Sequence, residues 1–599
     1  VSSSLFFPLA VHPTPLGAFF WLFPVLAALG SVAGPDQARQ THPGMSGSAR
    51  HAVFAIGGIL PLLALVALAL VPLASNTLAF FELWPLAFCA VVALLIGRAS
   101  GSEASLPIAL LALGAALPAT ALLVLSGSCH TEDLRALGAC AGALSGPIPS
   151  LAFLLVLGGA LSTWLGVAGA LGQKAYANAV VDGSGTGARM ADALSGMAFY
   201  PVLLIAIQLL GPGPIWWGAA LILLGGALTL GGATRGLGEE SLSGLLATTG
   251  LAHHGMALLP LGAALVLRSE GEIAAASRAE GASLLLLLCC ALARCGLGIT
   301  STAVEKAEGR IGDRGGLWRR MPRSGTTLLV CALGAGLAPP LGGFAAGWLA
   351  LHALLAAAGH AAPAGYGGLA LLGAGALPLG GALLLIAWIR GFGATFLGPP
   401  PLAPTAPQAI GAIRVPRLAG AVGLLMAACV LLAGLIPGAL LVLVRRALQD
   451  RGPGDWLRLR AQPIPGHPVP LPDGEASLVP LALLIAIPCL LLATVALVRL
   501  AGNRQRTAVR ERTYPAPSTP EARGSSLSIF AAMLGWRDSG AGSRSVGTLA
   551  HATPLAGRGR VVVTRLGSAA RYVAQAGNEA RVPAVAWLLT IVALLAVAR

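Results

Sequence analysis

The sequence predicts an all-α, polytopic membrane protein of about fourteen transmembrane helices, each an apolar run close to the twenty residues that cross a bilayer. Composition carries the prediction first: 56% of the 599 residues are hydrophobic, only 10% are charged, and mean hydropathy is +0.81, whereas a soluble chain carries about a quarter charged residues. The second observation is that apolar runs of spanning length recur from end to end. The third is that these runs do not alternate apolar and polar residues, which excludes a transmembrane β-barrel. Gly (80) and Pro (42) would suggest disorder in a polar chain. Inside apolar runs, Gly lets helices pack closely and Pro marks interrupted helices.

The expected spans are Leu16 to Ala33, Ala52 to Ala74, Thr77 to Ile96, Ser105 to Leu125, Pro149 to Leu171, Met190 to Leu210 and Ile215 to Gly232. They continue with Leu245 to Leu267, Ala282 to Leu297, Thr326 to Leu354 broken at Pro339 and Pro340, Gly367 to Ile389, Leu418 to Val442, Leu478 to Leu500 and Val582 to Ala598.

Positive loops stay on the cytoplasmic side, so arginine placement sets orientation. The segments after odd-numbered helices carry Arg310, Arg314, Arg319 and Arg320, then Arg414 and Arg417, then the stretch 501–581 with twelve arginines against four carboxylates. The even-numbered loops are near neutral or acidic, as with Glu132 and Asp133, or Glu270, Glu272 and Glu280; the longer one with Arg445, Arg446 and Arg451 is mixed. Both termini are therefore expected outside. This asymmetry accounts for most of the net charge of +15, and no nucleic-acid partner is expected. Val1 opens the sequence without a basic n-region, so no cleavable signal peptide is expected.

The nine cysteines are scattered, with no Cys-x-x-Cys pair to hold zinc or an iron-sulfur cluster, so no metal of the chain's own is expected. Cys129 and Cys140 share a loop expected outside; there they form either a disulfide or two free thiols. The run Gly183-Ser-Gly-Thr-Gly187 lies between spans and follows no strand, so it reads as a linker and not as a dinucleotide loop.

Several ordered blocks resemble a known family. Leu317-Trp-Arg-Arg-Met-Pro322 precedes Ala338-Pro-Pro-Leu-Gly-Gly-Phe-Ala-Ala-Gly-Trp348, and Trp388-Ile-Arg-Gly-Phe-Gly-Ala-Thr-Phe-Leu-Gly398 follows. Upstream lie Leu245-Leu-Ala-Thr-Thr-Gly-Leu-Ala-His-His-Gly255 and His12-Pro-Thr-Pro-Leu-Gly-Ala-Phe-Phe20. Together these resemble the antiporter-like membrane subunits of respiratory complex I, of hydrogenase-4 and formate hydrogenlyase, and of multisubunit Na+/H+ antiporters. The likeness runs over most of residues 12–445. It implies an antiporter-like core over 1–445 with inverted helix repeats and broken helices. An extra helix then follows within 446–500, a basic cytoplasmic or surface-lying connection over 501–581, and a last helix over 582–599. It also implies a multi-pass subunit of a bacterial inner membrane that works beside other membrane-arm subunits and a peripheral redox arm. Quinone would belong to the complex, and the iron-sulfur or metal centres to partner subunits. No cofactor site is identified in this chain.

The family conducts protons through a line of buried ionisable groups, and burial suits lysine to that task by lowering its pKa. Here only Lys174 and Lys306 are lysines. The family's Glu beside Trp84 falls on Pro85, leaving Glu82 one turn earlier. Its lysines fall on Val167, near Gly298 and on Arg390, with a histidine near Lys174 and another on Arg294; the Asn and Glu after the Pro-Pro pair become Gly342 and Gly347. The remaining proton-path candidates are Glu82, Lys174, His253, His254, Arg294, His352 and Arg390, with Pro339, Pro340, Gly342 and Gly391 as helix-break residues. Each has a structural alternative. Glu82 could glue helices, the histidines could hydrogen-bond between helices, and Arg390 could bind the free carbonyls of a break or snorkel to the surface.

Three functions compete on these residues. The chain couples electron transfer to H+ or Na+ movement in a complex I-like or hydrogenase-4-like arm, serves that arm as a non-conducting scaffold, or is an unrelated secondary carrier. The Met-Pro and Pro-Pro-Leu-Gly-Gly-Phe blocks argue against the last.

Overall fold

Ten helices among the described residues are long and apolar enough to cross a membrane. The computed structural model describes residues 14–32, 47–96, 105–168, 176, 185–308, 316–361, 365–397 and 417–448, with short extended pieces at Val469–Pro470 and Ser477–Leu478. The chain divides into two compact units, 1–472 with 478–483, and 473–477 with 484–599; every helix described below belongs to the first. The expected spans Leu478 to Leu500 and Val582 to Ala598 fall outside the described residues, apart from Leu478.

The chain enters through α1 (Pro15–Phe20), capped by Thr14 Oγ1 accepting from the Gly17 N–H at 3.0 Å, and α2 (Leu22–Val32). Next come α3 (Gly47–Leu70), α4 (Thr77–Ile96) and α5 (Ser105–Cys129). Helix α6 (Leu134–Ala141) is a short surface turn capped by Asp133, and the Cys129–Cys140 bond closes it onto the end of α5. Of the two alternatives for these thiols, the disulfide is the one formed. Helix α7 (Ile148–Ala168) precedes a span made of α8 (Thr186–Met197), α9 (Phe199–Leu203) and a π turn over Leu204–Leu209.

Helices α10 (Ile215–Gly238), α11 (Leu242–Ser269) and α12 (Ile273–Glu308) form the centre. Helix α11 begins where Ser241 Oγ accepts from the Gly244 N–H at 3.0 Å, and every residue from Leu242 to Leu267 is buried. It packs on α10 backbone to backbone. A Cβ at Gly225 would lie 2.9 Å from the Gly255 carbonyl, and one at Gly262 would lie 2.7 Å from the Gly218 carbonyl. Small residues at seven-residue spacing thus bring two spans together, the packing mode open to helices in lipid, where burial of apolar surface drives little association.

Helix α12 corrects the expected span Ala282 to Leu297: it runs for 36 residues. The polar residues that seemed to mark its ends are buried inside the protein; Glu280, for example, pairs with Arg268 of α11. The span expected over Thr326 to Leu354 is two helices, α13 (Pro322–Ala335) and α14 (Gly342–His360), with Pro339 and Pro340 in the break and Gly342 opening α14. Gly391 does not break its helix. Helix α15 (Gly367–Phe392) runs through it and continues as a π turn over Gly393–Leu397, because glycine in a packed membrane helix still makes its backbone bonds. Finally, the span expected over Leu418 to Val442 is split into α16 (Arg417–Leu435) and α17 (Pro437–Leu448), since Pro437 has no N–H with which to continue the ladder.

Buried tryptophans tie the spans together through their indole N–H groups. Trp84 donates to the Gly114 carbonyl (3.2 Å), Trp164 to the Ser195 carbonyl (2.9 Å) and Trp388 to Thr249 Oγ1 (2.9 Å). Each bond satisfies a donor that hydrocarbon could not.

Counting crossings from the disulfide loop puts Glu132, Asp133, Glu270 and Glu272 on the face where α5 ends and α7 begins. Arg235, Arg319, Arg320 and Arg323 lie toward the opposite face.

Candidate functional site: a buried ionisable centre

The centre is built from three helices, α8, α11 and α12, that bring ionisable side chains together inside the protein. Helix α8 starts at Gly185, whose φ of +68° favours glycine, and puts Arg189 and Asp192 one turn apart on a face turned into the protein. Opposite, α12 presents Arg294. Its Nη2 donates to Asp192 Oδ1 in a charge-assisted bond, and its Nη1 donates to the Leu246 carbonyl of α11 at 3.0 Å. The second carboxylate oxygen of Asp192 accepts from the Tyr176 hydroxyl at 2.8 Å. Arg189 Nη1 donates to Thr302 Oγ1 of α12 at 3.5 Å.

Two glycines make room for these guanidinium groups. A Cβ on Gly250 would collide with the Arg294 guanidinium, and one on Gly30 would collide with the Arg189 side chain.

The histidines of α11 diverge by one residue and so face different neighbours. His253 Nε2 lies 2.9 Å from the carbonyl of Ala335, the last residue of α13 before the break. A carbonyl only accepts, so this nitrogen carries the proton and Nδ1 holds the lone pair. His254 sits against the rings of Trp164 and Phe199, with centroids 5.4 and 5.8 Å away. His253 Nδ1 and His254 Nε2 are both buried and have no hydrogen-bond partner among the described residues. Both histidines, together with Arg189, Asp192 and Arg294, line a cavity of about 50 Å³ whose apolar wall includes Phe23 and Leu26 of α2.

The other sequence candidates lie elsewhere. Glu82 is on an exposed face of α4, while Trp84, two residues on, is the residue that points inward. Arg390 Nη2 donates to the Glu239 carbonyl just past the end of α10, so it caps a neighbouring helix at the arginine-rich face. The ring of His352 packs edge-on to Trp348 (5.0 Å) on α14 and does not line the cavity. Lys174 lies outside the described residues. Asp192, Arg189 and Tyr176 join the site without being among the sequence candidates. The available signal for Asp192 was a carboxylate two residues inside an expected apolar span, where an ionisable group is a functional candidate by default. Among the described residues, no group of three His, Cys, Asp or Glu side chains is placed to hold a metal.

No protein-family model matches the sequence. Among curated proteins, an uncharacterised protein of Mycobacterium tuberculosis is 30% identical over 369 residues, covering 58% of this chain and 52% of that protein. Formate hydrogenlyase subunit 3 of Escherichia coli is 28% identical over 250 residues, covering 41% of this chain and 40% of its own length. The chain thus matches about half or less of these relatives' lengths. Among solved structures, a chain of the membrane-bound sulfane sulfur reductase, an archaeal respiratory membrane complex, aligns with a TM-score of 0.64 at 18% identity, covering 99% of this chain and 90% of that one. A chain of the Mrp complex from Dietzia sp. DQ12-45-1b aligns with a TM-score of 0.56 at 18% identity, covering 75% and 86%. The structural likenesses show the fold, that of membrane subunits of such complexes, and the sequence matches show similarity to formate hydrogenlyase subunit 3 and the Mycobacterium tuberculosis protein over the aligned stretches.

Proposed function

We propose that the chain is a membrane-arm subunit of an ion-translocating oxidoreductase complex and moves protons through the Asp192–Arg294 centre while partner subunits transfer electrons. The observation that carries this reading is the cavity inside the bundle lined by two arginines, a carboxylate and two imidazoles. Charge held this deep in an apolar bundle is costly, and its ordinary justification is an ion pathway. Each group has a role fixed by its chemistry. Arg294 cannot release its proton and supplies a permanent positive charge. Asp192 accepts a proton, which weakens its bond to Arg294 and leaves that guanidinium on the Leu246 carbonyl. The open nitrogens of His253 and His254 are the next acceptors, bridged to Asp192 by water in the cavity, since buried polar atoms without protein partners are where ordered water sits.

Partners follow from the same physics. Glu82 is exposed between Leu78, Phe81 and Leu86, also exposed, and a carboxylate facing lipid is costly; we assign this face to a neighbouring membrane subunit. Iron-sulfur or metal centres and any quinone site belong to the redox partners. A disulfide persists in an oxidising compartment, and arginine-rich loops stay in the cytoplasm. The Cys129–Cys140 loop is therefore assigned to the outside of a bacterial inner membrane.

A scaffold role without conduction is the second reading, favoured by arginines at 294 and 390, which hold charge and do not give up protons. Reconstituting the complex in proteoliposomes decides between the two. In the Asp192→Asn complex we expect proton pumping to fall by about tenfold or more; pumping at the parental level with the complex intact would establish the scaffold.

A further inference from the structure

The Arg268–Glu280 pair joins the end of α11 to the start of α12. Glu280 Oε1 accepts from Arg268 Nε and Nη2, both at 2.6 Å, with the carboxylate 1% and the guanidinium 11% exposed. Glu280 is seven residues inside α12, about 10 Å along the helix from its first residue. It stands on the same stripe of α12 as Arg294: positions 280, 283, 287, 290 and 294 recur at alternating steps of three and four, which puts Glu280, Ser283, Leu287, Cys290 and Arg294 along one face. Leu287, Cys290 and Arg294 line the central cavity. The stripe therefore leads from the cavity to Glu280 over fourteen residues, about 21 Å.

The facing stripe on α11 keeps the same register. His254, Ala257, Leu261, Ala264 and Arg268 recur at the same spacing, and Ser283 Oγ donates to the Ala257 carbonyl at 2.7 Å where the stripes meet. Between the stations the seam is closed by Leu and Ala side chains. Beyond Glu280, toward the disulfide face, the turn linking the two helices carries Glu272, half exposed and 3.7 Å from His360 Nδ1.

A buried ion pair contributes little net stability because removing both charges from water costs about as much as their attraction returns. A turn through Gly271, with φ of +83°, already fixes the hairpin without help from charge. Resting on the reading of the Asp192–Arg294 centre as a proton pathway, we propose that Glu280 is the outward proton-release station of that pathway, with Arg268 as its counter-charge. A proton passed along the α11–α12 seam by transient water binds the Glu280 carboxylate and frees it from Arg268. Its release past Glu272 to the outer face re-forms the pair, so that no inward path stays open between the two stations.

The test uses the whole complex in proteoliposomes, with Asp192→Asn as reference. In Glu280→Gln we expect normal assembly and pumping at least about fivefold lower. In the double variant Arg268→Gln/Glu280→Gln, which keeps a neutral hydrogen-bonding pair, pumping should stay lost. Restored pumping in the double variant would show a helix staple and overturn the proposal. Parental pumping in Glu280→Gln while Asp192→Asn has lost it would overturn the release station alone, and parental pumping in both would overturn the pathway itself. The unmodified complex gives a check free of folding effects. A hydrophobic carbodiimide, which couples to protonated buried carboxyls, should label Glu280 during turnover and not at rest. Mass spectrometry showing no label during turnover would refute the station.

Discussion

The central helix α11 and the peripheral helix α5 are both spans, yet they invert the rule of soluble cores. Helix α11 has a hydropathy of 1.5 and is wholly buried, whereas α5 reaches 2.4 with 44% of its window buried. The span containing α8 follows α11, at 1.7 and 94% buried, and α16 follows α5, at 2.4 and 44%. Lipid is the more demanding solvent for polar atoms, so the most apolar helices face outward. The interior, where partners can satisfy polar groups, holds the histidines, Asp192 and the arginines. Helix α12 departs from the contrast, being strongly apolar and 89% buried, so it is in α8 and α11 that low hydropathy coincides with the buried ionisable centre.

The largest break in that contrast should come from stripping a charge inside. Arg294→Ala leaves Asp192 buried without its cation, and we expect a loss of about 3–5 kcal/mol, read as unfolding of the purified complex at lower denaturant. Next is packing: Gly262→Leu forces a side chain into the α10 backbone at Gly218, with an expected cost of about 1–3 kcal/mol and reduced assembly. Arg390→Ala removes the cap on the Glu239 carbonyl and the attraction of the guanidinium to the Glu239 and Glu240 carboxylates. It should cost about 1–2 kcal/mol and leave proton pumping at the parental level, which separates a structural arginine from a conducting site. Smallest is the rim itself. Leu223 of α10 is 64% exposed, and Leu223→Ala should change stability by less than about 0.5 kcal/mol. A large effect there would mean that a partner subunit covers the position.

The rim was the legible part of the sequence. Runs such as Thr77 to Ile96 and Gly367 to Ile389 coincide with α4 and with most of α15, because lipid contact demands unbroken apolarity. The break at Pro339 and Pro340 was equally plain, since two consecutive residues without N–H groups cannot sit inside a helix. The centre is less legible, because a charge inside a buried helix looks in sequence like the end of a span. Apolarity alone therefore marks only about half of α12 and leaves Glu280 in a loop, whereas the hairpin brings it to its partner Arg268. Asp192 lies inside an expected span and is hidden for a different reason: its neutralising partner is 102 residues away in sequence, a pairing no local pattern displays. Glu82 shows the opposite error, a carboxylate in an apolar run that faces outward.

The bond between His253 and the Ala335 carbonyl acts as a latch that tolerates a change of charge. An imidazole that takes up a proton on Nδ1 still donates from Nε2, so a proton carried by His253 along the proposed pathway would not release the severed end of α13. The rigid α10–α11 strut and the interrupted helix would then stay mechanically joined throughout a turnover. Any rearrangement at the break would have to come from elsewhere than the titration of this ring.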